Sequence, residues 1–348
     1  MAAIRLRDIA QDVGVSISAV SQVLRNKVGK VKVSETTRTK IFEAAERLNY
    51  EPQAAAKALV TGRTFNIGFL LSAKTTLGLA NKFYSCVLSG VHAAAEQRGY
   101  SCIVGVYDLS SIDQFIMPAK VRQRKIDAVV ITGFVEDAVV QRFVEHGIPF
   151  VIIGENAEFK TANVMSSGSD PVNRWKNLFE YLLKLGHRHI NFGTIYSAYT
   201  QQCLDSTLKK IKTKFRCETF SRAPDGADEF MFGEHMAQEW LSRSERCSAI
   251  ISNSHFCVGF LDYLYAHGGR CPEDISIVCT NDDVICKRCR PKLTTLSTPE
   301  FENAQQVTQV LIDLIEQKID YTQAQSLCQK VWDDGRLIVR ESTAPFRM

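Results

Sequence analysis

Short runs of apolar residues at helical spacing open the chain. Leu6, Ile9, Ala10 and Val13 share one helical face, and Gly14 then stops the pattern, as a residue following a helix C-terminus does. The spacing therefore predicts a first helix that ends just before Gly14.

Two more short helices are predicted behind the first. Ser16 can cap the second helix, which buries Val20, Val23 and Leu24. The residues left on its outer face are Ile17, Ser18, Ser21, Gln22 and Arg25. The third helix follows the Ser34 cap, and the residues on its buried face are Ile41, Ala44, Ala45 and Leu48. Three short helices in so little chain predict a compact bundle.

A run of strong helix formers, residues 53–59, lies between Pro52 and the Thr61-Gly62 stop. It is too short to persist as an isolated helix in water. The segment is predicted to be a linker and a conditional hinge helix, frayed in the free protein and ordered on a partner.

From Asn66 the pattern changes to short apolar runs that alternate with helical stretches. The predicted strands are 67–71, 102–106, 128–131, 150–153, 190–193, 249–251 and 275–279. The predicted helices are 87–97, one through 121, 139–145, 172–185, 204–214, 234–243 and 258–266. Such βα alternation predicts two α/β lobes, each with a parallel sheet covered by helices on both faces.

Composition places the chain among folded globular proteins. It has 348 residues, 45% of them hydrophobic and 23% charged. No apolar run is long enough to cross a membrane, and the charges at Arg5, Arg7, Asp8 and Asp12 exclude a secretory signal at the start. The chain is expected in the cytoplasm, with no membrane partner. Its eleven scattered cysteines are expected to be free buried thiols.

Positive charge is concentrated at the start of the chain. Residues 1–62 hold ten Lys and Arg against six Asp and Glu, whereas the rest of the chain is balanced at 32 of each. Six of the basic residues fall between positions 21 and 40, beside one acid, Glu35. This excess suits a polyanion such as DNA, although charge alone is equally compatible with a solvated face.

The spacing of Ala10, Gly14 and Val20 is typical of a helix-turn-helix, with a small residue at the helix contact, a glycine in the turn and an aliphatic anchor. A longer stretch of the chain resembles the head of the lac repressor (LacI/GalR) family. The segments that carry the resemblance are 6–16 (LRDIAQDVGVS), 20–21 (VS), 33–38 (VSETTR), 48–52 (LNYEP) and 61–64 (TGRT). It continues in the body at 99–101 (GYS), 185–190 (LGHRHI), 272–276 (PEDIS), 293–295 (LTT) and 339–343 (VREST).

The resemblance implies a dimeric transcriptional repressor with two domains. Residues 1–62 would be the helix-turn-helix DNA-binding domain and hinge, and residues 63–348 a body similar to periplasmic sugar-binding proteins. The first lobe would comprise about 64–164 plus 298–330, and the second about 165–297 plus 331–348. The implied partners are a double-stranded, near-palindromic DNA operator, a second copy of the chain, and a small-molecule effector between the lobes.

Thirteen residues are expected to contact DNA on the strength of this resemblance. They are Arg7, Ser16, Ile17, Ser18, Ser21, Gln22, Arg25, Asn26, Lys30, Lys32, Ala56, Lys57 and Leu59. Gln22 suits adenine, Ser18 suits many bases and Ile17 suits a thymine methyl group, unless they form only an ordinary exposed face. The lysines of 27–32 suit phosphates, unless that segment is merely a flexible loop. Leu59 would wedge into the minor groove, or else pack against its dimer mate.

The effector site is where the sequence departs from the family pattern. Four positions at which the family's sugar binders usually carry charge hold Gly154, Cys203, Ser254 and Asn281. Simple sugars are therefore expected to bind poorly, since each buried polar group left unpaired costs roughly 1 to 3 kcal/mol. The residues expected to line the cleft are Asn81, Phe83, Tyr107, Cys203, Asn253 and Asn281. A refitted ligand and control through the amount of protein both stay open.

Other classes of function have less support in the sequence. Cys286 and Cys289 form a lone Cys-x-x-Cys spacing without a second close pair, so neither a metal nor any other cofactor is expected. No nucleotide-binding or hydrolase motif appears, which argues against an α/β enzyme. The main alternative is a cytoplasmic small-molecule binding protein that uses the lobes alone, and the basic head argues against it.

Overall fold

The computed structural model describes residues 4–24, 33–50, 58, 61–75, 78–155, 161, 164–193, 198–219, 228–333 and 335–346. The chain divides into two compact units, Met1–Thr64 and Phe65–Met348, which we call the head and the body. Among the described helices, none has the length and apolar character needed to span a membrane.

The described part of the head contains three helices, α1 (Leu6–Val13), α2 (Ile17–Leu24) and α3 (Glu35–Arg47). Gly14 ends α1 in the left-handed conformation at φ 71°, which glycine adopts without steric cost. The Ser34 hydroxyl accepts a hydrogen bond from the Thr37 amide at 3.2 Å and so caps α3.

One apolar core joins the three helices of the head. Its buried members are Ile9, Ala10, Val20, Val23, Ile41, Ala44 and Ala45. Leu24 and Leu48, which were predicted to be buried, pack at its margin and are only half-buried. The predicted three-helix bundle is confirmed.

The first sheet of the body is wholly parallel, with strand order β2-β1-β3-β4-β5. Its strands are β1 (Asn66–Ser72), β2 (Ser101–Tyr107), β3 (Ala128–Thr132), β4 (Phe150–Glu155) and β5 (Ser166–Ser169). Because β5 pairs with β4, the first sheet extends past the crossover that was expected at about residue 164. We call this sheet and its helices the first lobe.

The second sheet has the order β11-β10-β9-β8-β6-β7, parallel except where β11 pairs antiparallel with β10. Its strands are β6 (His189–Phe192), β7 (Arg216–Thr219), β8 (Ala249–Ser252), β9 (Ser276–Cys279), β10 (Thr294–Ser297) and β11 (Arg336–Ile338). This sheet and its helices form the second lobe. The predicted fold class, a helix-turn-helix head before two α/β lobes, is confirmed.

Helices cover both faces of each sheet. The body helices are α4 (Lys82–Gln97), α5 (Ala119–Arg122), α6 (Asp137–His146), α7 (Pro171–Lys184), α8 (Ala198–Lys210), α9 (Glu229–Ser242), α10 (Ser254–Ala266), α11 (Val284–Arg288), α12 (Glu300–Ile315) and α13 (Tyr321–Lys330). A short 3-10 helix spans Gly78–Ala80. Two apolar cores sandwich each sheet, so all five residues of the central strand β3 are buried. All eleven cysteines are free thiols, as expected, but only seven are buried; the half-buried ones are Cys86, Cys102, Cys217 and Cys289.

The chain passes between the lobes three times, after β5, after β10 and after α13. The second passage returns α12 to the first lobe, where it packs on α4. The C-terminal ends of strands in parallel sheets are where ligands usually bind, and in both lobes these ends carry polar residues. The strand ends of both lobes are therefore where the predicted effector residues are expected to lie.

Candidate nucleic-acid interface and interlobe cleft

One face of helix α2, which carries both polar and apolar side chains, points away from the core of the head. Ile17 is 52% exposed and Ser18 is exposed, whereas Ser21 and Gln22 are half-buried on the same side. The opposite face is anchored by Ala19, which the sequence prediction missed, together with Val20 and Val23. The predicted contact of Ile17 with a thymine methyl group requires such an exposed aliphatic side chain.

Ser16 fixes the start of this helix. Its hydroxyl accepts a hydrogen bond from the Ala19 amide at 3.2 Å, and its carbonyl accepts from the amides of Ala19 and Val20. The Ser16 side chain thus serves the cap that the sequence predicted. Capping holds the first turn of α2 in place, which positions Ile17 and Ser18.

Arg7 is the remaining described residue of the head that was predicted to contact DNA. Its side chain is 68% exposed, and its Nε lies 3.5 Å from an Asp8 carboxylate oxygen. The Asp8 carboxylate also accepts a hydrogen bond from the Arg5 amide at 2.7 Å, at the start of α1. One turn further along the same helix, Asp12 pairs with Arg47 of α3 and links α1 to α3.

Seven of the predicted DNA contacts lie outside the described residues. They are Arg25, Asn26, Lys30, Lys32, Ala56, Lys57 and Leu59. The same holds for the lysine loop 27–32 and for most of the hinge segment 53–59. These predictions stay predictions.

In the body, Asn281 follows β9 and its polar atoms are engaged within the second lobe. Its Oδ1 accepts from the Ser254 amide at 3.0 Å, and its Nδ2 donates to the Ser254 hydroxyl at 3.0 Å and to Asp283 at 2.8 Å. The Ser254 hydroxyl also donates to the Asp283 carboxylate at 2.6 Å. This triad of side chains forms one wall at the C-terminal ends of β8 and β9.

Asn253 and Asn81 are also committed to local hydrogen bonds. Asn253 caps α10 by accepting from the Phe256 amide at 3.0 Å, and its Nδ2 donates to Glu229 at 2.7 Å. Asn81 caps α4 by accepting from the Phe83 amide at 2.9 Å. Both amides therefore stabilise helix N-termini.

The remaining predicted cleft residues are placed differently. Phe83 packs partly buried against the core of the first lobe, and Tyr107 ends β2 with its ring against Gly105. Cys203 is 7% exposed and lies in the apolar core of the second lobe. The prediction that Cys203 lines the cleft is wrong, because α8 turns its thiol inward against the sheet.

Asp282 is a structural anchor beside this wall. Its carboxylate is bonded by Arg340 at 2.7 Å, Thr295 at 3.0 Å and Lys287 at 3.1 Å. Burial alone would raise the pKa of the Asp282 carboxyl, but the hydrogen bonds from Arg340, Lys287 and Thr295 outweigh it and lower the pKa. The carboxylate ties the chain between β9 and α11 to the C-terminal segment.

Two charged residues that were not predicted from the sequence lie beside this region in the first lobe. The Lys82 ammonium contacts Asp282 and Asp283 of the second lobe, and Glu300 begins α12 at the second passage between lobes. Burial raises the pKa of the Glu300 carboxyl. Lys82 begins the α-helix that follows β1, and Glu300 begins the helix at the second passage, and the sequence marks them only by these positions.

Comparisons with known proteins agree with the division into head and body. Residues 5–53 match the family of bacterial regulatory proteins, lacI family, and residues 179–343 match a periplasmic binding protein-like domain. A probable HTH-type transcriptional repressor ExuR of Bacillus subtilis (strain 168) is 23% identical over 97% of this chain and 98% of its own. The HTH-type transcriptional repressor PurR of Vibrio atlanticus (strain LGP32) is 27% identical over 90% of this chain and 92% of its own.

Solved structures share the fold over most of the chain. The lac repressor dimer bound to operator and the anti-inducer ONPF superimposes with a TM-score of 0.76 at 20% identity, covering 99% of this chain and 100% of that one. A transcriptional regulator CelR–cellobiose complex gives a TM-score of 0.62 at 21% identity, over 97% and 99% of the two chains.

Proposed function

Because the chain belongs to the lacI family of bacterial regulatory proteins and is a DNA-binding transcriptional regulator, we propose that it represses transcription by reading a palindromic operator with α2. The observation that carries this proposal is the exposed face of α2 on a helix-turn-helix bundle. A left-handed Gly14 turn and the Ser16 cap set the angle and start of that helix.

The base contacts follow from the side chains on that face. Gln22 pairs in bidentate fashion with adenine N6 and N7, Ser18 bonds a base edge, and Ile17 contacts a thymine methyl group. Lys30 and Lys32 bind phosphates. Leu59 enters the minor groove, where it separates stacked bases. The cost in stacking energy is offset because the bent DNA contacts more of the protein surface.

A second copy of the chain binds along the outer edge of the first lobe. Strand β2 is an edge strand, and it exposes Val104 (45%) and Val106 (54%). Beside it lies a basin of about 290 Å³ lined by Leu88, Ser89, His92, Cys102 and Val104. An exposed apolar edge strand favours pairing with another chain, and a two-fold dimer matches a palindromic site.

Control by a small neutral sugar is not supported by the cleft of this chain. The Asn281 and Asn253 amides already bond to Ser254, Asp283 and Glu229, so a sugar hydroxyl must displace existing hydrogen bonds. A monosaccharide panel is expected to leave the melting temperature unchanged. A clear shift that disappears in Asn281→Ala would contradict this.

We place the protein in the cytoplasm with its DNA and assign it no catalytic step. The direct test is recovery of genomic fragments by the purified protein, followed by sequencing. A shared near-palindrome is expected among the recovered fragments. Recovery without any enriched sequence would overturn the proposed function.

A further inference from the structure

A lysine of the first lobe reaches across the cleft into the second lobe. Lys82 is the first residue of α4, and its Nζ donates to the main-chain carbonyl of Asp282 and lies 3.8 Å from an Asp283 carboxylate oxygen. We propose that these two acceptors form an ammonium-binding site in the cleft, which Lys82 fills and which a small molecule bearing a primary ammonium group would take over. The inference rests on the proposed function only in assigning this site to the regulatory cleft.

The acceptors are held in place before any ammonium arrives. The Asp283 side chain is 13% exposed, and it is oriented by the Ser254 hydroxyl at 2.6 Å and the Asn281 amide at 2.8 Å. The Asp282 carboxylate is bound to Arg340, which fixes the main chain that offers the carbonyl. Three ammonium protons suit a carbonyl and a carboxylate on one rigid wall.

The charges around the site favour a cation. Glu300 and Asp283 are close enough to Lys82 to interact with it electrostatically, and the Cys86 thiol lies in the same group. Arg174 also lies near Glu300, but its guanidinium donates to the Thr280 carbonyl at 3.2 Å and the Thr298 hydroxyl at 3.1 Å. Lys82 is the cation that contacts Asp283 in the described part of the chain.

The contact joins the two lobes, so it also acts as a latch on the cleft. Lys82 moves with α4, whereas its acceptors move with β9 and α11, and opening the cleft would separate them. The Lys82 side chain is 40% exposed, which keeps the contact weak enough for a soluble ligand to compete. A small ammonium ligand that binds these acceptors would displace Lys82. The contact that Lys82 makes between the two lobes would then be lost.

Chemical rescue of Lys82→Ala tests the site, because n-propylamine supplies the atoms that the substitution removes. In the full-length protein without DNA, we expect the variant to melt about 1 to 3 °C below wild type. Millimolar n-propylammonium chloride should restore most of the loss. Neutral n-propanol, or sodium chloride at the same ionic strength, should not.

Two further variants make the outcome decisive. Lys74→Ala removes an ion pair within the first lobe, to Asp108 at 3.7 Å, and should show no amine-specific rescue. Lys82→Ala combined with Asp283→Asn should lose the rescue. Equal responses to amine and alcohol, or rescue that survives Asp283→Asn, would overturn the proposal. Because no DNA is present, failure here is separate from failure of operator binding.

Discussion

At the scale of single residues, the position of a side chain and its availability are different properties. Asn281 lies at the strand ends where the sequence predicted a ligand contact, yet both ends of its amide are engaged by Ser254 and Asp283. The sequence indicates that Asn281 follows a strand, because polar residues stand directly after a short apolar run. Ser254 comes from another strand end, so its contacts with Asn281 depend on the folded sheet and cannot be predicted from the sequence. Asp283 is only two residues along the chain from Asn281.

The base-reading role of Gln22 predicts a specific loss. Gln22→Ala should weaken operator binding by about 1 to 3 kcal/mol and relax preference at one base pair of each half-site, because a bidentate contact to one base is removed. Affinities for operator and for single-base variants measure this. Gln202→Ala, an exposed substitution in the body, is the matched control. Equal losses on operator and random DNA for Gln22→Ala would refute base reading.

The Asp282 carboxylate is expected to make a pH-dependent contribution to the free energy of unfolding. Asp282→Asn should destabilise the body by about 3 to 5 kcal/mol at pH 7, because Arg340 keeps a buried charge without its carboxylate. The folded pKa lies below the ordinary value of 3.8, so this stability is present above 3.8 and is lost as the pH falls through the folded pKa.

Urea unfolding of both proteins between pH 7 and pH 3 measures the difference. The gap between wild type and Asp282→Asn should be constant down to about pH 4 and then narrow. Asp262→Asn, at an exposed position of α10, should show little change at any pH. A gap that widens in acid would be inconsistent with this account of Asp282.

At the scale of elements, apolar periodicity predicts the buried helices and strands well and the polar ones poorly. Helices α1 to α3 and strands β1 and β3 carry regular apolar patterns and were predicted. Strand β5, Ser-Ser-Gly-Ser, has no such pattern and was missed, although three of its four residues are buried. It pairs closely with β4, since a Cβ on Gly168 would lie 1.4 Å from the Gly154 carbonyl oxygen.

Close packing of α4 on α12 predicts an intolerant glycine. A Cβ on Gly90 would lie 2.2 Å from the Phe301 carbonyl oxygen, so Gly90→Ala must push the two helices apart. We expect a loss of about 1 to 3 kcal/mol, despite the better helix propensity of alanine. Thermal unfolding measures it, with the exposed Glu96→Ala of the same helix as control. Stability equal to wild type in Gly90→Ala would show that the helices yield freely.

At the scale of the assembled molecule, a two-fold dimer matches a two-fold operator. The sequence alone indicated the dimer only through family resemblance, because no periodic pattern distinguishes a self-association face from an ordinary edge strand. The exposed valines of β2 and the basin beside them are the surface that we propose for the second copy.

Introducing positive charge on the exposed edge strand β2 should therefore weaken the association of the two subunits. Val104→Lys combined with Val106→Lys should raise the dimer dissociation constant by about tenfold or more, since each ammonium group would lose hydration in the interface. Light scattering over a dilution series measures this. Val339→Lys changes an equally exposed valine of the second lobe and should leave the dimer intact. An unchanged dimer in the double variant would move the interface elsewhere.

A dimer that places its two α2 helices in the two half-sites of one operator draws affinity from both half-sites. The most direct measurement is a titration of the full-length protein on the recovered near-palindrome and on a copy with one half-site scrambled, at one fixed salt concentration. We predict that the scrambled copy is bound at least about a hundredfold more weakly, because one head loses its base contacts. Equal affinities for the intact and the half-scrambled sites would contradict the account.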